Sequence, residues 1–481
     1  MAPLDLRALL LGSNHGPLLF HSAGFVVLFI GFILVHALLA GKDRARLVWI
    51  LAFSLFYYWR SNGLYTVVLL GLATLDWSLA HAVHRTQRPR SRTLFLALSL
   101  GANLAALGFF KYTNFLLSTI ASLRGAPSHP LDIFLPLGIS FHVFQSMSYL
   151  IDVYRRRYTP TKSLLEYVAF LCFFPQIVAG PIVRAPEFFG GIHPIRDPEE
   201  GDVSRALGRI LVGVVKKAIL ADYLARYVDW IFAAPSTYSG PEVLLGVYAY
   251  CLQIYFDFSG YSDMALGMAK LLGVTIPENF RSPYKAVTIT EFWRRWHISL
   301  STWLREYLYI SLGGNRHGRA RQLAALALTM LLGGLWHGAS WTFVVWGGLH
   351  GLALAFDKLT PSLLSTRARP LAWLATFHFV ALAWVFFRAP TFGLAFDVLK
   401  AIAAGWSDTP LLALASERRG VVAALVVGAL FCALPEKLVE SLHARALRVP
   451  ALAKGLAFGV LAVVVAEMSD VDVRPFVYFQ F

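Results

Sequence analysis

The sequence predicts an all-α membrane protein that crosses the bilayer many times. Hydrophobic residues make up 57% of the chain and charged residues only 15%. Soluble domains contain about 45–50% hydrophobic residues and about 25% charged residues. Apolar runs of the length that spans a bilayer core, roughly 20 residues, recur along the whole chain. We therefore expect a single membrane domain over residues 1–481, with roughly 10–12 transmembrane helices.

The expected spans are the apolar runs at about 18–40, 47–62, 63–84, 93–118, 132–153, 163–183, 204–232, 241–272, 323–356, 370–388, 420–436 and 451–468. A further helix at about 289–312 is expected to lie at the membrane interface or to be re-entrant, because Trp and Arg alternate with apolar residues along it.

The net charge of +15 arises from 43 Lys and Arg against 28 Asp and Glu. Most of the basic residues lie in short clusters between apolar runs, which is the pattern that orients membrane proteins. No basic domain lies outside these runs, so we expect no nucleic-acid partner. The three cysteines are far apart and show no metal or disulfide spacing. Phosphate loops of the Walker type and Gly-x-Ser-x-Gly elbows are also absent from the sequence.

Two carboxylates interrupt the apolar run at about 241–272. Asp257 and Asp263 lie there in the sequence YFDFSGYSD, and charged residues inside spans are functional candidates because they are expensive to bury. The alternative is that both residues pair with arginines or cap broken helices, since buried ionisable groups usually have partners. The sequence leaves both readings open.

The sequence TITEFWRRWHISLSTWLREY at 288–307 begins with a capping box and predicts an amphipathic helix. At helical spacing one face is apolar and aromatic, and a second face carries Arg294, His297, Ser301 and Arg305. The aromatic face is typical of an anchor at the membrane interface. His297 lies on the polar face beside Arg294, where a titratable group can meet a polar or anionic ligand.

Three glycines lie within six residues in LLGGLWHGASW, the sequence at 331–341. Glycines weaken a helix, and a break at membrane depth is tolerated only where protein or a wet cavity surrounds it. His337 at this break is therefore a candidate catalytic residue, and the alternative is a structural histidine bonded to a freed carbonyl. His350 follows 13 residues later, and we expect it to be structural.

These segments resemble the membrane-bound O-acyltransferase family. The resemblance extends over nearly the whole chain, and within the family it points to the bacterial branch around the alginate O-acetyltransferase membrane subunit. It is carried by the segments PLGISF at 136–141, FPQIVAGPI at 174–182, 275–317, LWHGASW at 335–341 and RPFVYFQF at 474–481.

The resemblance implies a helical bundle with a central funnel in a bacterial inner membrane. It implies that His337 and His297 are catalytic, and we expect five further residues to bind substrate: Arg294, Trp336, Asp257, Asn279 and Ser301. It implies no bound cofactor or metal, with acetyl-CoA as the acyl donor on the cytoplasmic side. It implies that the acceptor is an exported polysaccharide, alginate-like, cellulose or peptidoglycan, reached through a periplasmic or other extracytoplasmic partner protein that accepts the acyl group.

Three alternatives remain open at the level of sequence. A neighbouring branch of the family transfers D-alanine to teichoic acids. A non-catalytic transporter would also have broken helices and charges inside the membrane, although we find no internal repeat of the kind that transporters often show. A scaffold subunit of a synthase complex would tolerate replacement of both histidines.

The basic loops yield a prediction of orientation. The loops at 41–47, 85–92 and 154–162 carry clusters of Arg and Lys, so we expect them to face the cytoplasm. Single cysteines placed in these loops should resist labelling by an impermeant reagent in intact cells and should label after permeabilisation. Ready labelling of any of the three in intact cells would contradict this orientation.

Overall fold

The computed structural model describes residues 18–360, 369–404 and 411–435, together with Trp406, single positions between 438 and 460, and Phe476. All regular secondary structure in these residues is helical, so the prediction of an all-α protein is confirmed. Most of the predicted span at 451–468 and most of the segment at 474–481 lie outside the described residues.

The α-helices, in chain order, are α1 Ala23–Leu38, α2 Asp43–Asn62, α3 Thr66–Arg85, α4 Pro89–Leu107, α5 Thr113–Leu123, α6 Ile139–Tyr154, α7 Leu164–Cys172, α8 Ala185–Ile192, α9 Glu200–Val214, α10 Asp222–Ala233, α11 Gly240–Leu271, α12 Ile289–Arg295, α13 Ile298–Trp303, α14 Arg319–His337, α15 Trp341–Leu359, α16 Arg369–Arg388, α17 Phe392–Ala404, α18 Leu411–Glu417 and α19 Arg419–Ala433. Short 3₁₀ turns occupy Gly63–Tyr65, Pro235–Thr237 and Pro283–Lys285, and π-helical turns occupy Gly108–Tyr112, Val215–Ala221 and Leu304–Tyr309.

Four helical segments of the described chain are long and apolar enough to cross a membrane: Asp43–Arg85, Pro89–Leu123, Gly240–Leu271 and Arg369–Arg388. Two shorter apolar helices, Gly24–Leu38 and Arg419–Ala433, accompany them. The prediction of a polytopic membrane protein is therefore confirmed. The figure of roughly 10–12 spans stays a prediction, because broken helices can also lie at membrane depth where protein surrounds them.

The first of these segments is long enough for two passes. A straight helix of 43 residues would be about 65 Å long, roughly twice the thickness of a bilayer core. Gly63 interrupts it with a φ of 54°, a conformation that glycine adopts without steric cost. The break leaves α2 and α3 with 20 residues each, and their boundary matches the one predicted between residues 62 and 63.

Other predicted spans are shortened or split. The run predicted at 163–183 contains α7, which ends at Cys172, and continues as turns. The run predicted at 323–356 forms two helices, α14 and α15, with a turn at 338–340. The helix predicted at 289–312 consists of α12, α13 and a π-helical turn. In each case an apolar run continues through a break in the helix, which composition alone does not reveal.

The described residues form two compact units. The first contains mainly residues 18–211 and 262–277. Its core includes an aromatic cluster around the buried Phe174 ring, whose centroid lies 5.0 Å from Phe53 and 5.6 Å from Phe32. Within this unit Arg209 donates to the Asp263 carboxylate at 3.0 Å. The pairing predicted as the alternative for Asp263 is thereby confirmed.

The second unit contains mainly residues 212–261, 278–360 and 369–435. Its helices α14 and α15 pack at the closest distance that their backbones allow. A Cβ atom on Gly334 would lie 2.3 Å from the Phe343 carbonyl oxygen, and one on Gly347 would lie 2.3 Å from the Met330 carbonyl oxygen. Because these positions are glycine, the two backbones come into contact and the hairpin between them is tight.

This close packing predicts the effect of a single methyl group. Gly347→Ala should lower the free energy of unfolding by about 1–3 kcal/mol, because the new Cβ overlaps a backbone oxygen that cannot move aside. Gly348→Ala is the matched control, since its Cβ would lie 3.4 Å from the Leu331 side chain, an ordinary contact distance. Thermal unfolding of both purified variants in detergent measures the difference. Equal melting temperatures would contradict the backbone contact.

Candidate active site

His337 is the last residue of α14 and lies at the turn of the tight hairpin. Gly338 follows in an extended conformation and ends the helix, as the glycine-rich sequence predicts. The His337 side chain is 4% exposed. Three aromatic rings surround it: Trp336 with a centroid distance of 5.0 Å, Trp346 at 5.2 Å and Phe387 at 5.5 Å. An imidazole is thus held in an aromatic environment at a chain reversal.

His297 lies at the break between α12 and α13. Its backbone is left-handed, with φ 42° and ψ 55°, a conformation that costs a residue with a Cβ roughly 1–2 kcal/mol. The side chain is fully buried, and the Phe258 ring meets it edge-on with a centroid distance of 4.6 Å. Neither ring nitrogen has a hydrogen-bond partner among the described residues. Strained backbone of this kind persists only where the surrounding structure holds it.

The two histidines come together although 40 positions separate them in the sequence. Their ring centroids lie 6.2 Å apart. Hydrogen bonds to ring nitrogens are about 2.6–3.2 Å long, so one small polar group can lie within reach of both imidazoles. The Trp336 ring contacts both, at 6.1 Å from His297 and 5.0 Å from His337. The structure therefore brings Trp336, predicted to bind substrate, against both predicted catalytic residues.

The prediction that one continuous helix at 289–312 carries Arg294, His297, Ser301 and Arg305 on a single polar face is wrong. Helical spacing placed Arg294 beside His297, but α12 ends at Arg295, and the extended Trp296 and the left-handed His297 separate it from α13. Arg294 is exposed, whereas His297 is buried. Ser301 is half-buried, and its hydroxyl donates to the Trp296 carbonyl oxygen at 3.1 Å. Any contact of Arg294 or Ser301 with substrate stays a prediction.

Asp257 lies in a buried ion pair. Lys217 places its Nζ 2.6 Å from the Asp257 carboxylate and 2.7 Å from that of Asp222. The side chains of Lys217 and Asp257 are 4% and 1% exposed. Asp257 is paired, as the alternative expected, but its partner is a lysine where we had predicted an arginine, and contact of Asp257 with substrate stays a prediction. Asp257 precedes Phe258, whose ring contacts His297, so the ion pair lies next in sequence to a wall of the candidate site.

Asn279 is fully buried beside the break at His297. Its Oδ1 accepts hydrogen bonds from the Ser299 hydroxyl at 2.7 Å and from the Ser299 backbone N–H at 3.3 Å. Asn279 is therefore brought close to the predicted catalytic residue, and its side-chain oxygen bonds to protein groups.

His350 occupies a different aromatic environment on α15. Its Nδ1 accepts a hydrogen bond from the Trp293 indole N–H at 3.3 Å, and its ring lies 4.9 Å from Trp346. The spacing of Trp346 and His350, four residues apart, is visible in the sequence as one helix face. Sequence reasoning missed Phe258 and Phe387 as walls of the site, because nothing in their local pattern distinguishes them from core aromatics. Within the described part of the chain, no group of His, Cys, Asp and Glu has the arrangement of a metal site.

The chain matches the sequence pattern of the membrane-bound O-acyltransferase family over residues 154–394. This range contains all the candidate site residues described above. A Pseudomonas putida protein named "Probable alginate O-acetylase AlgI" is 41% identical over 384 residues, which cover 77% of this chain and 77% of the relative.

Two other relatives carry different names. A peptidoglycan O-acetyltransferase of Helicobacter pylori is 38% identical over 79% of this chain and 78% of its own length. A teichoic acid D-alanyltransferase of Streptococcus thermophilus is 31% identical over a smaller part, 46% of this chain and 56% of the relative.

The buried ion pair predicts that Asp257→Asn is a stability variant. Removing one member of a buried ion pair typically lowers the free energy of unfolding by about 3–5 kcal/mol. We expect a loss of about 3 kcal/mol or less for Asp257→Asn, because Asp222 still neutralises Lys217. Thermal unfolding measures the loss, and Asp222→Asn in the Asp257→Asn background should deepen it, because Lys217 then loses both of the carboxylates that lie within 2.7 Å of its Nζ. Full stability of Asp257→Asn together with lost activity would instead assign Asp257 to substrate binding.

Proposed function

Because this chain belongs to the membrane-bound O-acyltransferase family, we propose that it transfers acetyl groups from a cytoplasmic donor across the membrane for O-acetylation of an exported polysaccharide. The chain is a membrane acyltransferase, and its acetyl and polysaccharide specificity is our proposal. The specificity is supported by the relatives named for alginate and peptidoglycan O-acetylation, which align over more than three quarters of this chain. The observation that supports the catalytic assignment is the pair of buried histidines at two helix breaks, with ring centroids 6.2 Å apart.

His337 is the general base in this proposal. An alcohol is a weak nucleophile at neutral pH and must lose its proton as the new bond forms. A neutral imidazole accepts that proton, and the unperturbed pKa of histidine, about 6.5, suits the task near neutral pH. His337 is the last residue of α14 and lies at the turn of the α14–α15 hairpin.

A single base, His337, is enough to move the proton in both halves of the reaction. The imidazole of His337 takes the hydroxyl proton as the hydroxyl oxygen attacks the carbonyl carbon of an acetyl thioester. The tetrahedral intermediate collapses, the carbon–sulfur bond breaks, and the leaving thiolate takes the proton back from the imidazolium. The products are an acetyl ester and a free thiol, and the histidine returns to its neutral form.

His297 orients a reactant in this scheme. Its ring centroid lies 6.1 Å from that of Trp336 and 6.2 Å from that of His337, and neither of its ring nitrogens has a hydrogen-bond partner among the described residues. A ring nitrogen can hold a carbonyl or hydroxyl oxygen in line for attack, and correct orientation accounts for a large part of enzymatic rate enhancement. We therefore expect replacement of His297 to slow acetylation less than replacement of His337.

The donor and the compartment complete the proposal. We propose acetyl-CoA as the donor, reaching the protein from the cytoplasm of a bacterial cell through its inner membrane. The basic loops predicted to be cytoplasmic would attract the phosphates of such a donor. On the opposite side, a partner protein would take the acetyl group to the polymer. D-Alanyl transfer is the second candidate, supported by relatives that align over smaller parts of this chain, 46% for one and 55% for another.

Replacement of His337 tests the mechanism. His337→Ala should remain folded in the membrane and lose acetylation by about 10²–10⁴-fold, the usual contribution of a positioned base. Acetyl transfer from labelled acetyl-CoA to polymer in membrane vesicles, with the amount of folded protein measured in parallel, provides the rate.

The matched control is His317→Ala, because His317 is an exposed histidine of the same unit. This control should keep the full rate. A well-folded His337→Ala variant with near-normal acetylation would overturn the mechanism and favour a transporter or scaffold.

A further inference from the structure

The break between α12 and α13 at His297 is stabilised by hydrogen bonds to a neighbouring segment of the chain, residues 279–281. The Ile298 N–H donates to the Asn279 carbonyl oxygen at 3.0 Å, and the Arg281 N–H donates to the Arg295 carbonyl oxygen at 3.0 Å. These two bonds lie on either side of Trp296 and His297 in the sequence. The backbone groups that a continuous helix would have used within itself are thus bonded to the neighbouring segment, as a buried chain requires.

The side chain of Asn279 adds a third connection. Its Oδ1 accepts both the hydroxyl of Ser299, at 2.7 Å, and the backbone N–H of Ser299, at 3.3 Å. Ser299 is the second residue of α13, so the amide fixes the first turn after His297. Together the backbone and side chain of Asn279 bind two consecutive residues that follow the histidine.

This bracing explains how a left-handed histidine persists. The conformation at φ 42° is unfavourable for any residue with a Cβ, and relaxation of α13 would let the chain return to a continuous helix. A continuous helix would place His297 on the face predicted from helical spacing, together with the exposed Arg294. In the left-handed conformation the ring is buried instead against Phe258 and faces His337.

We propose that Asn279 is a positioning residue that holds His297 toward His337 by fixing the turn at 297–299. The inference rests on the proposed function only in that His297 must matter for acetyl transfer. It assigns Asn279 a role different from the substrate contact that the sequence suggested. Asn279 has no direct part in the chemistry, and its effect on the rate passes through His297.

The test is a double-mutant cycle on acetylation rate per folded protein. We expect Asn279→Ala and His297→Ala each to slow the reaction, by up to about 100-fold, the effect that a misplaced group can have. In the His297→Ala background, Asn279→Ala should cause no further loss, since there is no longer a ring to position. Asn279→Asp, which keeps an oxygen acceptor for Ser299, should recover most of the wild-type rate.

Asn62→Ala is the matched control, because Asn62 is also buried and its Oδ1 also accepts a backbone N–H, that of Leu137 at 2.6 Å. It lies in the first unit, so its effect should multiply with that of His297→Ala. If Asn279→Ala fails to fold, Ser299→Ala, which removes the 2.7 Å bond, takes its place in the cycle.

The outcomes separate this inference from the mechanism. Multiplied losses for Asn279→Ala and His297→Ala would overturn the positioning role and favour direct substrate contact or general stabilisation. A full rate for His297→Ala would overturn it too, because no function would depend on the turn. Neither result affects the proposed role of His337 as the general base, because that role is tested separately with His337→Ala.

Discussion

A backbone group without a hydrogen-bond partner is costly in a membrane-embedded chain because no water is there to bond it, and this constraint governs the candidate site. Helices satisfy it within themselves, so every break in a helix must find partners elsewhere. At His337 the turn bonds back on itself, because the Ser340 N–H donates to the Gly338 carbonyl oxygen at 2.9 Å. At His297 the partners come from residues 279–281. Both predicted catalytic residues therefore lie at a break in a helix, where the backbone forms hydrogen bonds that a helix does not contain.

Glycines and aromatic residues have different roles around these breaks: the glycines let backbones pack closely, and the aromatic rings surround the histidines. The contact of Gly334 with the α15 backbone lets two helices approach closely enough for the Trp346 ring to reach His337. Aromatic rings surround both imidazoles, with Trp336 beside each of them, Phe258 beside His297, and Trp346 and Phe387 beside His337. A site built in this way excludes bulk water, which strengthens each polar interaction inside it and protects a reactive thioester from hydrolysis.

The sequence predicts the parts of this architecture that depend on local composition. Apolar runs give the helical membrane class and the boundary at Gly63, and the clustered glycines give the break at His337. Helical spacing failed at His297, because it assumes a continuous helix and the left-handed turn depends on Asn279, 18 positions earlier. The partner of Asp257 was not predictable for the same reason: Lys217 lies 40 positions away, and only the fold brings them within 2.6 Å. Local patterns identify candidate residues, whereas long-range contacts determine what each of them can do.

The central claim is that His337 and His297 line one space in which the acetyl group is transferred. An experimental structure of the protein with a ketone analogue of acetyl-CoA, in which a methylene replaces the thioester sulfur, tests it most directly. The account predicts that the acetyl carbonyl lies against the His337 imidazole, with His297 and Trp336 lining the same space. An acetyl group bound elsewhere, in contact with neither histidine, would contradict it.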